Sequence, residues 1–320
     1  ETEHLQLQAP QIARVVIYPE YPGGGSGRHP LHGLVDLLEE LGVKNRRLVC
    51  DVDGYEHRWG YRGPRLSALL ERVIPERLEL IDDARAVKSH AEIALIHEAC
   101  VWGDHAHRLM QDAIHEGASE LELSQSSSLQ ATRDMLATLG ERYVPKSREG
   151  KPANAMFIRG ANTANPHGLH ESGGVRAGDV LVTGAYGVVG GYESELERTM
   201  IAGEPNAEFK RYFAAMLSAQ DAAFVALRPG RLCCDVERDV SDFIHRELGM
   251  GELMRHHTGH AFGLEGHEHP FLDLDDQTLI LPGMIFSLEP GLYVPGLAGF
   301  RHSDTVLVTE DGCKNLCAYP

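Results

Sequence analysis

Positive charge is what this chain of 320 residues most lacks: 30 lysines and arginines stand against 47 aspartates and glutamates, a formal net charge of −17. A nucleic-acid backbone would be repelled by most of such a surface, so nucleic acid is excluded as a partner. There is no run of eighteen apolar residues and no basic-then-apolar opening segment. Neither a membrane span nor a secretory signal is therefore expected, and the reading is of a cytoplasmic protein without a membrane partner. The six cysteines, Cys50, Cys100, Cys233, Cys234, Cys313 and Cys317, include no CxxC pair. Adjacent Cys233 and Cys234 suit neither a disulfide framework nor a zinc knuckle, so the thiols are expected to be reduced and partly buried. Internal repeats and low-complexity tracts are missing too. What remains is a chain with length enough for two domains and a large core.

The periodicity supports that division. ARVVIYPEY (13–21) and RRLVCDVD (46–53) read as short strands, with PLHGLVDLLEELG (30–42) between them as an amphipathic helix, which makes a small α/β unit. The pattern resets over Leu78–Val87, and Ser89 and Glu92 then form a capping box at the start of a long helix that Gly117 ends. The expected domains are 1–85, small and α/β, and 86–320, larger and α+β. Within the second, Ser119 opens another helix to about Gly140. NAMFIRG (154–160) and the stretch 178–203 read as strands, and Phe209–Leu227 and Val236–Leu248 as helices.

Chemistry concentrates in HTGHAFGLEGHE (257–268) and SLEPGLYVPGLAGFRHSD (287–304), which together hold four histidines, four carboxylates and Arg301 among glycines. His260 and Glu289 each stand between small or apolar neighbours, the pattern of a strand feeding one polar side chain into a pocket. Glu195 and Glu197 are two residues apart in SELERT, so on a strand their carboxylates share a face.

These blocks, with GANTANPHG (160–168), GDVLV (178–182), GYESELERT (191–199), LRPG (227–230) and DTVLVTEDG (304–312), resemble the pita-bread family of creatinase, Xaa-Pro aminopeptidase, prolidase and methionine aminopeptidase. The likeness runs from about Lys88 to Leu316, in the family's order. It implies a pita-bread catalytic domain preceded by a creatinase-type N-terminal domain, here shorter than the family's usual one. It also implies a homodimer in which the small domain of one subunit covers the other's site, with Trp59 and Tyr61 in YEHRWGYRGP (55–64) as lid residues.

Metal-dependent members of the family hold two ions on two aspartates, a histidine and two glutamates. By the resemblance His260 is the histidine, Glu289 the first glutamate, and Glu195 stands for the second aspartate. Gly184 occupies the place of the first aspartate and Ser303 that of the last glutamate. A glycine and a serine cannot bridge and neutralise two ions. The expectation is therefore a site without metal, the alternative being one divalent ion on Glu195, His260 and Glu289.

ELERT resembles the ALERT of creatinase, which works without metal, so the expected function is a metal-independent, creatinase-like hydrolase of a C–N bond in a small nitrogenous compound. His167, which matches the family's active-site histidine, is expected to move the proton. Glu195, Glu197 and Glu289 are expected to hold the substrate, with His260 in the wall. His267, Arg301 and His257 are candidate substrate contacts. His302 is displaced by one residue from creatinase's second histidine and should face the other side of its strand. Two alternatives stand beside this reading: an Xaa-Pro aminopeptidase or prolidase type of metallopeptidase with one or two ions, acting on dipeptides, and an inactive peptide-binding module. The histidines between His90 and His115, and the acidic loop Asp273, Asp275 and Asp276, are assigned no chemistry.

Overall fold

In the computed structural model, which describes residues 14–16, 29–54, 63–77, 79–145 and 151–320, contacts separate two units, Glu1–Ala84 and Arg85–Pro320. In the first, helix α1 (Pro30–Glu40) begins on His29, whose ring accepts a hydrogen bond from Leu31 N, with Pro30 at its first position. A single turn, α2 (Leu66–Leu69), follows. The stretch 46–53 is not a strand: among the described residues it makes only the isolated bridge Cys50–Glu76. Most of 13–21 lies outside the described residues. The reset over Leu78–Val87 is a helix, α3 (Glu79–Ala86).

The second unit is built on antiparallel strands. The capping box forms as expected: Ser89 N donates to Glu92 Oε2 at 2.7 Å and Glu92 N to Ser89 Oγ at 3.4 Å, opening α4 (His90–Ala113). Helix α5 (Glu120–Leu139) starts on Ser119 and ends at Gly140, whose φ of 76° suits a residue without a Cβ. Then come β1 (Ala153–Arg159), β2 (Val180–Val189), β3 (Tyr192–Glu193) and β4 (Leu196–Ile201). Gly190 and Gly191, both at positive φ, make the two-residue turn between β2 and β3. After α6 (Ala207–Ala226) and α7 (Cys233–Asp242) follow β5 (Gly259–Ala261), β6 (Glu268–Leu272), β7 (Ile285–Leu288), β8 (Gly291–Val294), β9 (Ala298–Arg301), β10 (Ser303–Val308) and β11 (Cys313–Asn315).

The main sheet runs β1-β2-β4-β10-β7-β5-β6, with β3 on β2 and β11 on β10, while β8 and β9 form a separate hairpin. Two cores hold helices to it. Ile96, Met110, Met135, Phe157 and Leu181 join α4 and α5 to β1 and β2. Met216, Ala219, Val236, Val240, Phe286, Phe300 and Val306 join α6 and α7 to β7, β9 and β10. Each such large side chain contributes about 1.5–3 kcal/mol on burial. Gly187 lets α4 lie directly on β2, since a Cβ there would come within 2.1 Å of Ala99 O. Among the described residues no helix is long and apolar enough to cross a membrane.

Candidate metal centre

Alternation along β4 and the residues before it aims Glu195 and Glu197 at one cavity and turns Leu196 and Arg198 into the core. Register places Ser303 of β10 opposite Glu197, and Gly184 of β2 opposite Glu197 on its other side. His260 comes from β5. Glu289 follows β7, with its backbone N bonded to Thr258 O at 2.8 Å.

These elements bring three candidate ligands together: one donor atom each from Glu195, His260 and Glu289 lies within 4.8 Å of the others. His260 Nε2 is 3.3 Å from Glu289 Oε1 and 3.6 Å from Glu195 Oε2. Its Nδ1 is 3.1 Å from Ala261 O, which favours a proton there and leaves the Nε2 lone pair facing the carboxylates. Ser303 Oγ donates to Glu195 Oε1 at 2.6 Å, and Thr305 Oγ1 bonds both the N and the O of Glu195 at 2.9 Å.

Electrostatics at this cluster describe a nest of buried, mutually repelling carboxylates. Burial raises the pKa of Glu195, and repulsion from Glu289 and Glu197 adds to it. Burial raises Glu197 as well, opposed by Arg301. At Glu289 the burial penalty is outweighed by the hydrogen bond with His260 and by Arg301, and its pKa falls. Burial disfavours a charged His260, but Glu289 and Glu195 outweigh it and raise its pKa.

Arg301 does not take Glu289 as its main partner. Its Nη2 donates to Glu197 Oε1 at 2.5 Å, and its Nε lies 2.5 Å from Glu197 Oε2 and 3.9 Å from Glu289 Oε2. Glu197 is thereby a partnered carboxylate rather than a free one. Tyr293, which the sequence reading passed over, ties the arrangement together: its hydroxyl accepts from Arg301 Nη1 at 3.0 Å and meets His256 Nε2 at 2.7 Å. Its place four residues after Glu289, on a strand returning to the site, is the signal that could have found it.

His267 stacks on His260, ring centroids 4.0 Å apart, and its pKa is lowered by burial and by His260. His257 meets His260 edge-on at 6.2 Å, and burial lowers its pKa too. His167 is exposed in the turn after Ala164 and close enough for its charge to act on His267. His302 faces away, its ring against Phe213, and burial lowers its pKa to about 3. Asp276 is a loop staple, accepting from Phe271 N and Thr278 N. Trp59 and Tyr61 lie outside the described residues.

A cavity of about 220 Å³ opens on Glu195 and Glu197, with Met156, Gly184, Tyr186, Glu193, Phe262, Gly266 and His267 also in its lining. A larger cavity of about 370 Å³, bordered by Ile114, Val175, Leu181 and Met200, shares no residue with the cluster.

A sequence profile of the metallopeptidase family M24 matches residues 94–310. This chain belongs to that family. It is 32% identical over 239 residues to the Xaa-Pro dipeptidase of Pyrococcus furiosus, covering 74% of this chain and 65% of that protein. It is 34% identical to a probable dipeptidase PepE of Mycobacterium bovis, over 72% of this chain and 58% of the relative. Among solved structures, the prolidase of Pyrococcus horikoshii superposes with a TM-score of 0.70 at 28% identity, covering 80% of this chain and 70% of that one. The Xaa-Pro dipeptidase of Bacillus anthracis gives 0.77 at 25% identity, covering 92% and 78%. The fold is thus the pita-bread fold. The chain spans somewhat under two-thirds of the length of the curated relatives just named.

The expectation of a site without metal is corrected by these findings. The family is one of metallopeptidases, the relatives are Xaa-Pro dipeptidases and prolidases, and three donors of the right chemistry converge. The absent side chains at Gly184 and Ser303 bear only on a second ion, and the alternative of one divalent ion on Glu195, His260 and Glu289 is the one these findings favour. A Cβ at Gly184 would meet nothing closer than 3.8 Å, and the Ser303 hydroxyl serves Glu195. The residues present fit a single divalent cation bound by an imidazole and two carboxylates.

Proposed function

We propose that this chain is a peptidase of the Xaa-Pro dipeptidase type that works with one divalent ion on Glu195, His260 and Glu289, its catalytic machinery lying in residues 86–320. The convergence of those three donors within 4.8 Å, in a member of family M24, is the observation that supports it. An ion bound there supplies a Lewis acid for the scissile carbonyl and a water of lowered pKa. Arg301 holds Glu197 and, through Tyr293, the strand hairpin behind it, so the carboxylate face stays rigid. In this reading His267, packed on His260 beside the cavity, and His167, close enough for its charge to act on His267, carry the proton to the leaving proline nitrogen. A cavity of about 220 Å³ suits a substrate of dipeptide size.

The test measures metal content together with hydrolysis of proline-terminated dipeptides. One manganese, cobalt or zinc ion per chain should accompany activity, be removed with it by chelation, and return with it. In His260→Ala both should be lost. Turnover that persists at wild-type rate in protein stripped of metal would refute the reading.

A further inference from the structure

Three acidic side chains, Glu193, Glu195 and Glu197, line one wall of the cavity, and their surroundings differ. Glu197 is paired with Arg301, while Glu195 faces His260 and accepts from Ser303. Among the described residues no lysine, arginine or histidine pairs with Glu193. The charges that act on it are the carboxylates of Glu268 and Glu265. Glu268 is itself neutralised by Arg85 and by Lys88 at 3.4 Å, and Glu265 is 3.6 Å from Arg85. With one divalent ion on the cluster, the charges of Glu195, Glu197, Glu289, Arg301 and the ion sum to zero. The uncompensated negative charge lining the cavity is then Glu193.

The cavity onto which Glu193, Glu195 and Glu197 open has apolar walls beside its carboxylates. Met156, Tyr186 and Phe262 supply apolar walls, and Gly266 and Gly184 keep it open. A Cβ on Gly266 would stand 3.1 Å from Glu193 Oε2. Glu193, the last residue of β3, is two residues before Glu195, which precedes β4, roughly 6–7 Å away at the rise of an extended chain. That is about the span of four methylenes ending in a cation.

We propose that Glu193 is the specificity-determining residue of this site and that it selects dipeptides whose first residue carries a long basic side chain, lysine or arginine. The inference rests on the peptidase reading above. The stem lies along Met156, Tyr186 and Phe262, and the ammonium or guanidinium meets the Glu193 carboxylate.

The experiment compares kcat/KM of the metal-loaded protein for Lys-Pro with that for norleucyl-proline, which keeps the stem and removes the charge. The wild type should favour Lys-Pro by about tenfold, the scale of one charge-assisted hydrogen bond. The ratio should fall to about one in Glu193→Gln and reverse toward Glu-Pro in Glu193→Lys. Thermal unfolding of each variant checks that it is folded. A wild-type ratio near one, or a tenfold ratio that survives Glu193→Gln, overturns the proposal even when both dipeptides are cleaved. Should neither be cleaved, the peptidase reading fails, and calorimetric binding of lysinamide against norleucinamide still decides the role of Glu193. Tighter binding of lysinamide that disappears in Glu193→Gln supports it, and equal affinity overturns it.

Discussion

Replacing Ser303 by alanine should weaken metal binding while leaving the fold intact. Ser303 is fully buried, and its hydroxyl donates to Glu195 Oε1 at 2.6 Å. That bond holds one carboxylate oxygen and leaves the other, Oε2, 3.6 Å from His260 Nε2. The backbone of Glu195 is fixed separately by Thr305, at 2.9 Å through both N and O. Alanine at 303 thus frees the carboxylate without freeing the strand. Partners that orient a metal ligand are typically worth 10–100-fold in affinity, or roughly 1.4–2.7 kcal/mol. A short hydrogen bond to a charged acceptor falls in the same range, about 1.5–3 kcal/mol.

Titration calorimetry with manganese or zinc on stripped protein should therefore show Kd rising 10–100-fold in Ser303→Ala, still with one ion per chain. The unfolding midpoint of the metal-free protein should move by a few degrees at most, because Ala at this site removes one hydroxyl and opens little volume. A Kd within twofold of wild type in a folded Ser303→Ala variant would refute the claim that this hydroxyl aims Glu195. A wild-type protein that binds no ion would refute the metal site itself, which is a separate result.

Two further predictions concern charge. The double variant Gly184→Asp with Ser303→Glu adds two carboxylates on strands that both pair with Glu197. Like charges placed opposite one another destabilise a sheet, so the stripped double variant should melt below wild type, regain its midpoint with manganese, and carry two ions per chain by elemental analysis. A count that stays at one would show that further donors are needed. Glu237 gives a pH prediction: burial, opposed by the hydrogen bond from Thr258, pushes its carboxyl from 4.5 up to about 7. Between those values the unfolded chain has released this proton and the folded chain keeps it, so stability is full below pH 4.5 and falls as pH rises toward 7, by about 3 kcal/mol at most. Glu237→Gln mimics the neutral acid, and denaturant unfolding from pH 4.5 to 7.5 should show a shallower loss than in wild type. An identical slope would remove Glu237 as its source.

Much of the site could be read from sequence because its signals are local. The Ser89 and Glu92 capping box lies within one helical turn, and the shared face of Glu195 and Glu197 follows from strand alternation. His302 turns away from the site because it is one residue out of step. What escaped depended on distant contacts. Arg301 finds Glu197, 104 positions away, only once β9 and β4 have met. Tyr293 acquires its role from Arg301 and His256 in the same way. His107, on the helix to which no chemistry was assigned, is fully buried with Nε2 2.6 Å from Thr183 Oγ1, a contact set by how closely Gly187 lets α4 approach β2. The resemblance groups Glu195, His260 and Glu289 as the alternative, single-ion set, and their distance of 4.8 Å or less from one another needs the fold. The segment 46–53 has the composition of a strand, but among the described residues it pairs only through the Cys50–Glu76 bridge.

The underside of the same strands explains how so much negative charge can be gathered above. Residues 195 and 197 face the cavity and are bonded there by Ser303 and Arg301, while Arg198 and Asp304 between and beyond them face the core as a buried pair, Nη2 to Oδ1 at 2.8 Å. Arg198 also donates to the carbonyls of Ser303, Tyr319 and Pro320, and Gln220 Nε2 satisfies the second oxygen of Asp304 at 3.0 Å. A buried ion pair gains little net stability after desolvation, but one with its hydrogen bonds complete makes any other register costly. Slipping β4 by one residue would carry Arg198 into the cavity and bury Glu197 beside Asp304, two carboxylates with a single guanidinium lost from between them. The register is thus held from below by a satisfied pair, and the acids above are free to be arranged for a cation rather than for stability. This accounts for carboxylates that repel one another and yet keep their donors within 4.8 Å of one another.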